Sequence, residues 1–241
     1  MNIKDLNVEI FADGAVIDDM VKAQKTGVVK GFTTNPSLMK KAGVTDYMKF
    51  AQEALSKVKD APISFEVFSD DFKTMEKEAE KISNLGSKVF VKIPITNTKG
   101  ESSINLIKKL NEKGIKVNVT AIMTLKQVES VLRVLNPNVE NIISVFAGRL
   151  ADIGIDPIPV MRQCVELIAD SQNSRKNKLL WASCREVFNI FEADKLGVDI
   201  ITCTAPVINK LGLIGKTPEE RSLETVKGFN EDVKALGFSI L

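Results

Sequence analysis

The sequence predicts an α/β fold: a single (β/α)8 TIM barrel over residues 1–241, with a C-terminal helical tail over 217–241. Three observations carry that expectation. Eight short apolar, β-branched segments recur along the chain, and amphipathic stretches with helical spacing separate them. The length of 241 residues is also what eight strand–helix units need. Strands that alternate with helices must pair in parallel, the helices serving as crossovers.

The strand candidates, in order, are 8–13 (VEIFAD), 28–34 (VVKGFTT), 62–68 (PISFEVF), 88–94 (KVFVKIP), 116–122 (KVNVTAI), 141–147 (NIISVFA), 178–183 (KLLWAS) and 198–203 (VDIITC). Near-continuous apolar runs of this kind suit strands covered on both faces. Between them, 43–59 carries an apolar stripe of Val44, Tyr47, Met48, Phe50, Ala51, Ala54, Leu55 and Val58 among charges, the mark of a helix with one buried face. The stretches 71–84, 102–112, 124–135, 157–169 and 185–195 read the same way. The polar run 170–178 is expected as a solvated loop before the seventh strand, and no Pro/Gly/Ser-rich linker divides the chain. Thr217-Pro218-Glu219-Glu220 is a good helix start. Leu223, Val226, Phe229, Val233 and Leu236 follow it, an apolar stripe able to cover the barrel or a partner subunit.

Composition narrows the function classes. A chain 44% hydrophobic and 27% charged can fill one large core. A net charge of +2 leaves no electrostatic footprint for nucleic acid. No apolar run is long enough to span a bilayer, and Met1–Asn7 lacks a signal peptide's apolar stretch. Cys164, Cys184 and Cys203 are odd in number and far apart, so buried thiols in a reducing cytoplasm are expected rather than disulfides. The chain has no histidine. That excludes a Ser-His-Asp triad, a Cys-His pair and a His-rich metal site, and leaves carboxylates, lysine, tyrosine, thiol or water to move protons. Neither a GxGxxG nor a Walker-type phosphate loop is present.

Against this background Lys92 stands out. It lies inside the apolar run 88–94, where an ammonium must be paired, or be kept neutral for a task. A neutral lysine can attack a carbonyl and form a Schiff base. The alternative is an edge position or a salt bridge at the barrel end. Polar residues also gather at the ends of the other strands, where barrel chemistry resides. Asp13 ends the first, Thr33-Thr34-Asn35-Pro36 the second, and Glu66 lies on the third. Asn118 and Thr120 lie on the fifth, Ser144 on the sixth with Arg149 beyond, Ser183 on the seventh with Arg185 beyond, and Thr202 on the eighth. Mutual capping of buried polar groups accounts for one or two strands more easily than for eight. Glu66 with Thr120 can hold the water that an amine needs for imine formation, and Asp13 can take a hydroxyl proton. Arg149 and Arg185 with Ser183 suit a phosphate monoester, although a surface salt bridge is the commoner fate of an arginine.

The ordered set Phe11-Ala12-Asp13-Gly14, Thr33-Thr34-Asn35-Pro36-Ser37-Leu38, Phe65-Glu66-Val67, Val91-Lys92-Ile93-Pro94, Asn118-Val119-Thr120-Ala121 and Ser144-Val145-Phe146-Ala147-Gly148-Arg149 resembles the transaldolase family, which includes the small fructose-6-phosphate aldolases. The resemblance implies a class I aldolase-type barrel that uses no metal and no cofactor, acts on small sugar phosphates, and forms homo-oligomers. It assigns Lys92 as the Schiff-base lysine, Asp13 as the acid/base, and Glu66 with Thr120 as the water-holding pair. Thr33, Asn35, Asn118, Ser144 and Phe146 fall at substrate-binding positions, and Arg149, Ser183 and Arg185 at phosphate contacts. Glu66 and Phe146 point to the transaldolase branch, since the small aldolases carry Gln and Tyr there. Two departures stand out: Asp13-Gly14-Ala15 in the first loop, and Cys184 and Glu186 around the phosphate arginine, where Glu186 is expected to begin the next helix.

Overall fold

The eight apolar runs form eight parallel strands that close into a barrel in sequence order. The computed structural model describes residues 3–171, 176–237 and 240, so the expected loop over 170–178 lies partly outside the described residues. The strands are β1 (Glu9–Asp13), β2 (Val29–Thr33), β3 (Ile63–Glu66), β4 (Val89–Pro94), β5 (Val117–Ile122), β6 (Asn141–Val145), β7 (Asn177–Trp181) and β8 (Ile200–Thr204), with β1 pairing β8 to seal the ring. Helices α1 (Ile17–Lys25), α2 (Pro36–Lys41), α3 (Tyr47–Lys57), α4 (Phe72–Ser83), α5 (Ile104–Glu112), α6 (Leu125–Leu132), α7 (Ala147–Asp152), α8 (Pro157–Ala169), α9 (Phe188–Leu196) and α10 (Ala205–Ile208) return the chain, and α11 (Pro218–Leu236) follows.

Two apolar layers hold the barrel. The larger lies between sheet and helices and takes outward residues such as Ile63, Phe65, Val91, Ile93, Val119 and Ile143 together with helix residues such as Met75, Ile107 and Met161. A separate inner cluster of Phe11, Phe90, Ile142, Leu180, Ala182 and Ile200 fills the interior. Gly31 makes room for it, because a Cβ there would come within 2.5 Å of the Phe11 ring. Side chains alternate faces along a strand, so the residue two places beyond each inner apolar group also points inward. Phe11 thus leads to Asp13, Phe90 to Lys92, Ile142 to Ser144 and Ile200 to Thr202. Period-two geometry turns an apolar floor into a polar rim.

The structure revises several boundaries. The sixth strand stops at Val145, and Ala147, expected at the strand's end, opens α7. The seventh stops at Trp181, leaving Ser183 in a left-handed turn with φ of 63°. Glu186 does not begin a helix: α9 starts at Phe188, and the Glu186 amide donates to Asn189 Oδ1 at 3.2 Å. The α11 start forms as expected, with a Thr217/Glu220 capping box and Pro218 in the first turn. No α11 residue is buried, and Leu223, Val226, Phe229, Val233 and Leu236 remain exposed, so the barrel does not cover this stripe.

Candidate active site

The inward polar residues surround one cavity of about 580 Å³ at the C-terminal end of the strands. Asp13, Thr33, Asn35, Glu66, Lys92, Thr120, Ser144, Phe146, Arg149, Ser183 and Arg185 all line it. Asn118 does not. It lies deeper, fully buried, accepting a hydrogen bond from Ser144 Oγ at 2.6 Å and donating to Ser64 Oγ at 3.0 Å. Those two bonds fix the Ser144 hydroxyl from beneath.

Lys92 sits at the centre and is only 6% exposed. Strand register sets its neighbours, with Glu66 beside it on β3 and Asn118 on β5. Its Nζ lies 3.1 Å from Glu66 Oε2 and donates to the Thr34 carbonyl oxygen at 2.9 Å. Burial of the pair excludes water that would otherwise compete, and the backbone carbonyl supplies a second partner for the ammonium. Tyr47, the chain's single tyrosine, steadies this neighbourhood from α3 by donating its hydroxyl to the Glu66 carbonyl at 2.9 Å.

Asp13 has a different environment. Burial pushes its carboxyl above the usual carboxylate range, opposed by the Lys92 charge and the Thr33 hydrogen bond and aided by the Glu66 charge. The Thr33 hydroxyl donates to Asp13 Oδ1 at 2.7 Å and shares a 2.6 Å hydrogen bond with Thr202. The site therefore holds two carboxylates in unlike surroundings, one paired with the lysine and one raised by desolvation. Thr120 differs again. Its buried hydroxyl has no hydrogen-bond partner among the described residues and lines the cavity, so a bound molecule can supply the missing bond. The backbone breaks register just there: β5 slips against β6 between Val119 and Ile122, and Ala121 takes a left-handed φ of 61°.

At the rim, Asn35 caps α2, accepting from the Leu38 amide at 3.0 Å. The other side of the cavity is built from two loops pressed together. The Gly148 amide donates to the Ala182 carbonyl at 3.2 Å, and a Cβ on Gly148 would lie 1.7 Å from the Ser183 carbonyl oxygen. Only glycine allows that approach. Arg149 rests over the Phe146 ring, 5.6 Å from its centroid, while Arg185 is held two-pronged by Asp152, with Nε donating to Oδ1 at 3.0 Å and Nη2 to Oδ2. Cys184 lines the cavity between Ser183 and Arg185. A hydrogen bond with Cys203 pulls its thiol below the ordinary value and raises that of Cys203.

A family model described as Transaldolase/Fructose-6-phosphate aldolase matches residues 10–240. The chain belongs to the transaldolase/fructose-6-phosphate aldolase family. A probable transaldolase of Clostridioides difficile is 35% identical over 204 residues, covering 85% of this chain and 89% of that protein. One from Nitrosopumilus maritimus is 32% identical over 232 residues, covering 94% of this chain and all of its own length. Membership in the transaldolase/fructose-6-phosphate aldolase family marks the chain as an enzyme of the transaldolase/aldolase class.

Sequence reasoning missed several contributors. The Thr34 carbonyl and the Tyr47 hydroxyl act from or on the backbone, and Ser64 and Asp152 act on other side chains, so none has a motif of its own. A buried lysine without an obvious partner was the available signal that a carbonyl would be needed. Among the described residues no group of histidine, cysteine, aspartate and glutamate could hold a metal ion, and no helix is long and apolar enough to cross a membrane.

Proposed function

We propose that the protein transfers a dihydroxyacetone unit from a ketose phosphate, such as fructose 6-phosphate, to an aldose phosphate. The observation that carries this reading is the buried Lys92 amine, 3.1 Å from Glu66, in one cavity with the raised carboxyl of Asp13 and the unpartnered Thr120 hydroxyl. The nearest carboxylate to accept the lysine's proton is Glu66. The freed amine attacks the ketone C2, forming a C–N bond and a carbinolamine. Expulsion of water breaks the C2–O bond and gives an iminium, with Glu66 and a water held by Thr120 moving the protons. Asp13 then takes the C4 hydroxyl proton. The O–H electron pair forms the new carbonyl, the C3–C4 pair flows to the iminium nitrogen, and glyceraldehyde 3-phosphate leaves. The enamine attacks the acceptor aldehyde, Asp13 returns its proton, and water releases the product. Asn35 and Ser144, the latter positioned by Asn118, suit the donor hydroxyls, with Phe146 as an apolar wall. Arg149, Arg185 and Ser183 suit the phosphate.

Borohydride trapping with fructose 6-phosphate, read by intact mass and peptide mapping, tests this. A reduced three-carbon adduct on Lys92 is expected, and no adduct with any ketose phosphate overturns the reading. A second reading is an aldolase that releases dihydroxyacetone to water, and a rate independent of added aldose phosphate favours it. Glu66 in place of Gln and Phe146 in place of Tyr support transfer. The exposed α11 stripe supports a homo-oligomer, with a second copy covering Leu223 and Phe229. Sedimentation is expected to show a multimer that Phe229→Glu reduces, and a wild-type monomer at micromolar concentration overturns it. A cytoplasmic location fits three unpaired cysteines.

A further inference from the structure

We propose that Asp152 is a positioning residue that fixes the Arg185 guanidinium at the phosphate end of the cavity and thereby sets the preference for phosphorylated over unphosphorylated substrates. The proposal rests on the reading of Arg185 as a phosphate contact.

Two arginines line the same cavity wall, and they are held by different means. Arg149 leans on the Phe146 ring and has no carboxylate partner among the described residues. Arg185 meets Asp152 through both Nε and Nη2, with each side chain about half exposed (48% and 50%). A flexible arginine in solvent loses rotamer freedom when it binds a ligand. The two-pronged carboxylate removes that freedom in advance. It occupies two of the five guanidinium N–H groups and leaves three for a second oxyanion.

The origin of the carboxylate adds to the argument. Asp152 and Arg149 both lie on α7, three residues apart, so they share one stretch of helix. The first turn of α7 is already fixed to the 182–185 loop through Gly148 and Ser183. Asp152 ties the far end of α7 to the same loop through Arg185. The helix that presents one arginine therefore also aims the other, and the distance between the two cations is set by a single rigid element. Asp152 also carries a cost, since its charge partly neutralises the arginine. If neutralisation outweighed aiming, removing the carboxylate would tighten phosphate binding; the proposal commits to aiming.

The test measures KM and kcat for Asp152→Ala, Asp152→Asn, Arg185→Gln and the Asp152→Ala/Arg185→Gln double variant, using fructose 6-phosphate and unphosphorylated fructose. Melting temperatures confirm that each variant folds. Asp152→Ala is expected to raise KM for fructose 6-phosphate roughly tenfold, the size of one charge-assisted hydrogen bond, with the loss in KM rather than kcat and no change in KM for fructose. Asp152→Asn, whose side-chain oxygen still accepts from the guanidinium, is expected to recover part of the loss. The double variant should be no worse than Arg185→Gln alone, because Asp152 acts only through that arginine. A lowered KM in Asp152→Ala, equal losses for both sugars, or multiplied losses in the double variant each overturn the proposal. The same four variants titrated with inorganic phosphate by calorimetry separate this inference from the transferase reading. Phosphate binding that follows the same pattern upholds the role of Asp152 even where borohydride traps no adduct on Lys92. Phosphate binding indifferent to Asp152 overturns that role even where the adduct forms.

Discussion

The two ends of the barrel use the same eight strands and treat polar groups in opposite ways. At the N-terminal end, Lys88, Lys116 and Lys178 surround a small cavity of about 250 Å³, and each reaches a carboxylate: Asp60 at 3.7 Å, Glu140 at 2.6 Å and Glu9 at 2.8 Å. The buried Asn111 and Asn141 close a network there, joined at 2.6 Å, and Asn141 donates to Asn177 at 3.2 Å. At the C-terminal end the Thr120 hydroxyl has no partner among the described residues, Asp13 is buried against its charge, and Arg149 faces the cavity over a phenyl ring. The N-terminal lysines find their carboxylates within the fold and, among the described residues there, only the Asn177 amide nitrogen is left over, whereas the cavity end leaves the Thr120 hydroxyl and the Arg149 guanidinium for a ligand. Chemistry at one end of such a barrel and stability at the other is the general division of labour.

The contrast is sharpest at Lys92. Lys92→Ala is expected to lower turnover by about ten-thousandfold or more while the fold persists, and a variant with appreciable steady-state activity breaks the assignment. Asp13→Asn should lower kcat by roughly a hundredfold to ten-thousandfold and raise the melting temperature at pH 7. The sign follows from proton binding. The unfolded carboxyl titrates near about 4 and the folded one higher, so between those values the native state holds more protons and loses stability as pH rises. The variant's advantage should therefore shrink as pH falls from 7 towards about 4 and be gone below that, which calorimetry across pH can check. Thr120→Val removes a hydroxyl that bonds nothing among the described residues. It should cut kcat by roughly a hundredfold without lowering stability, and a drop in melting temperature would mean that the hydroxyl has a structural partner. The opposite pattern belongs to the other end. Asn141→Ala leaves one amide hydrogen of Asn111 without its acceptor, the Ile115 carbonyl still taking the other, and should cost about 1–3 kcal/mol in denaturant unfolding, with activity per folded molecule unchanged.

Much of this division was legible in the sequence, for a physical reason. Buried parallel strands need continuous apolar runs, and period two then dictates which residue of each run faces inward. Lys92 after Phe90 and Asp13 after Phe11 were therefore readable one strand at a time. The short helices were not. In α1 only Met20 is buried, and α7 has six residues, so neither offers a stripe long enough to recognise. Asn118, expected at a substrate-binding position, lies beneath the cavity floor, because spacing along a strand does not reveal whether a neighbour's hydroxyl roofs a residue over. The partners of Lys92 and Arg185 show the same limit. A backbone carbonyl carries no residue identity, and Asp152 looks like any surface aspartate until the 182–185 loop is brought against α7.

The close approach of Gly148 to Ser183 bears on how such a site can be remodelled. Two loops from successive strands share one contact with no spare space, so neither can gain or lose a residue near it unless the other shifts in step. Sequence change on this wall is thereby confined to side chains that leave both backbones in place, as at Cys184.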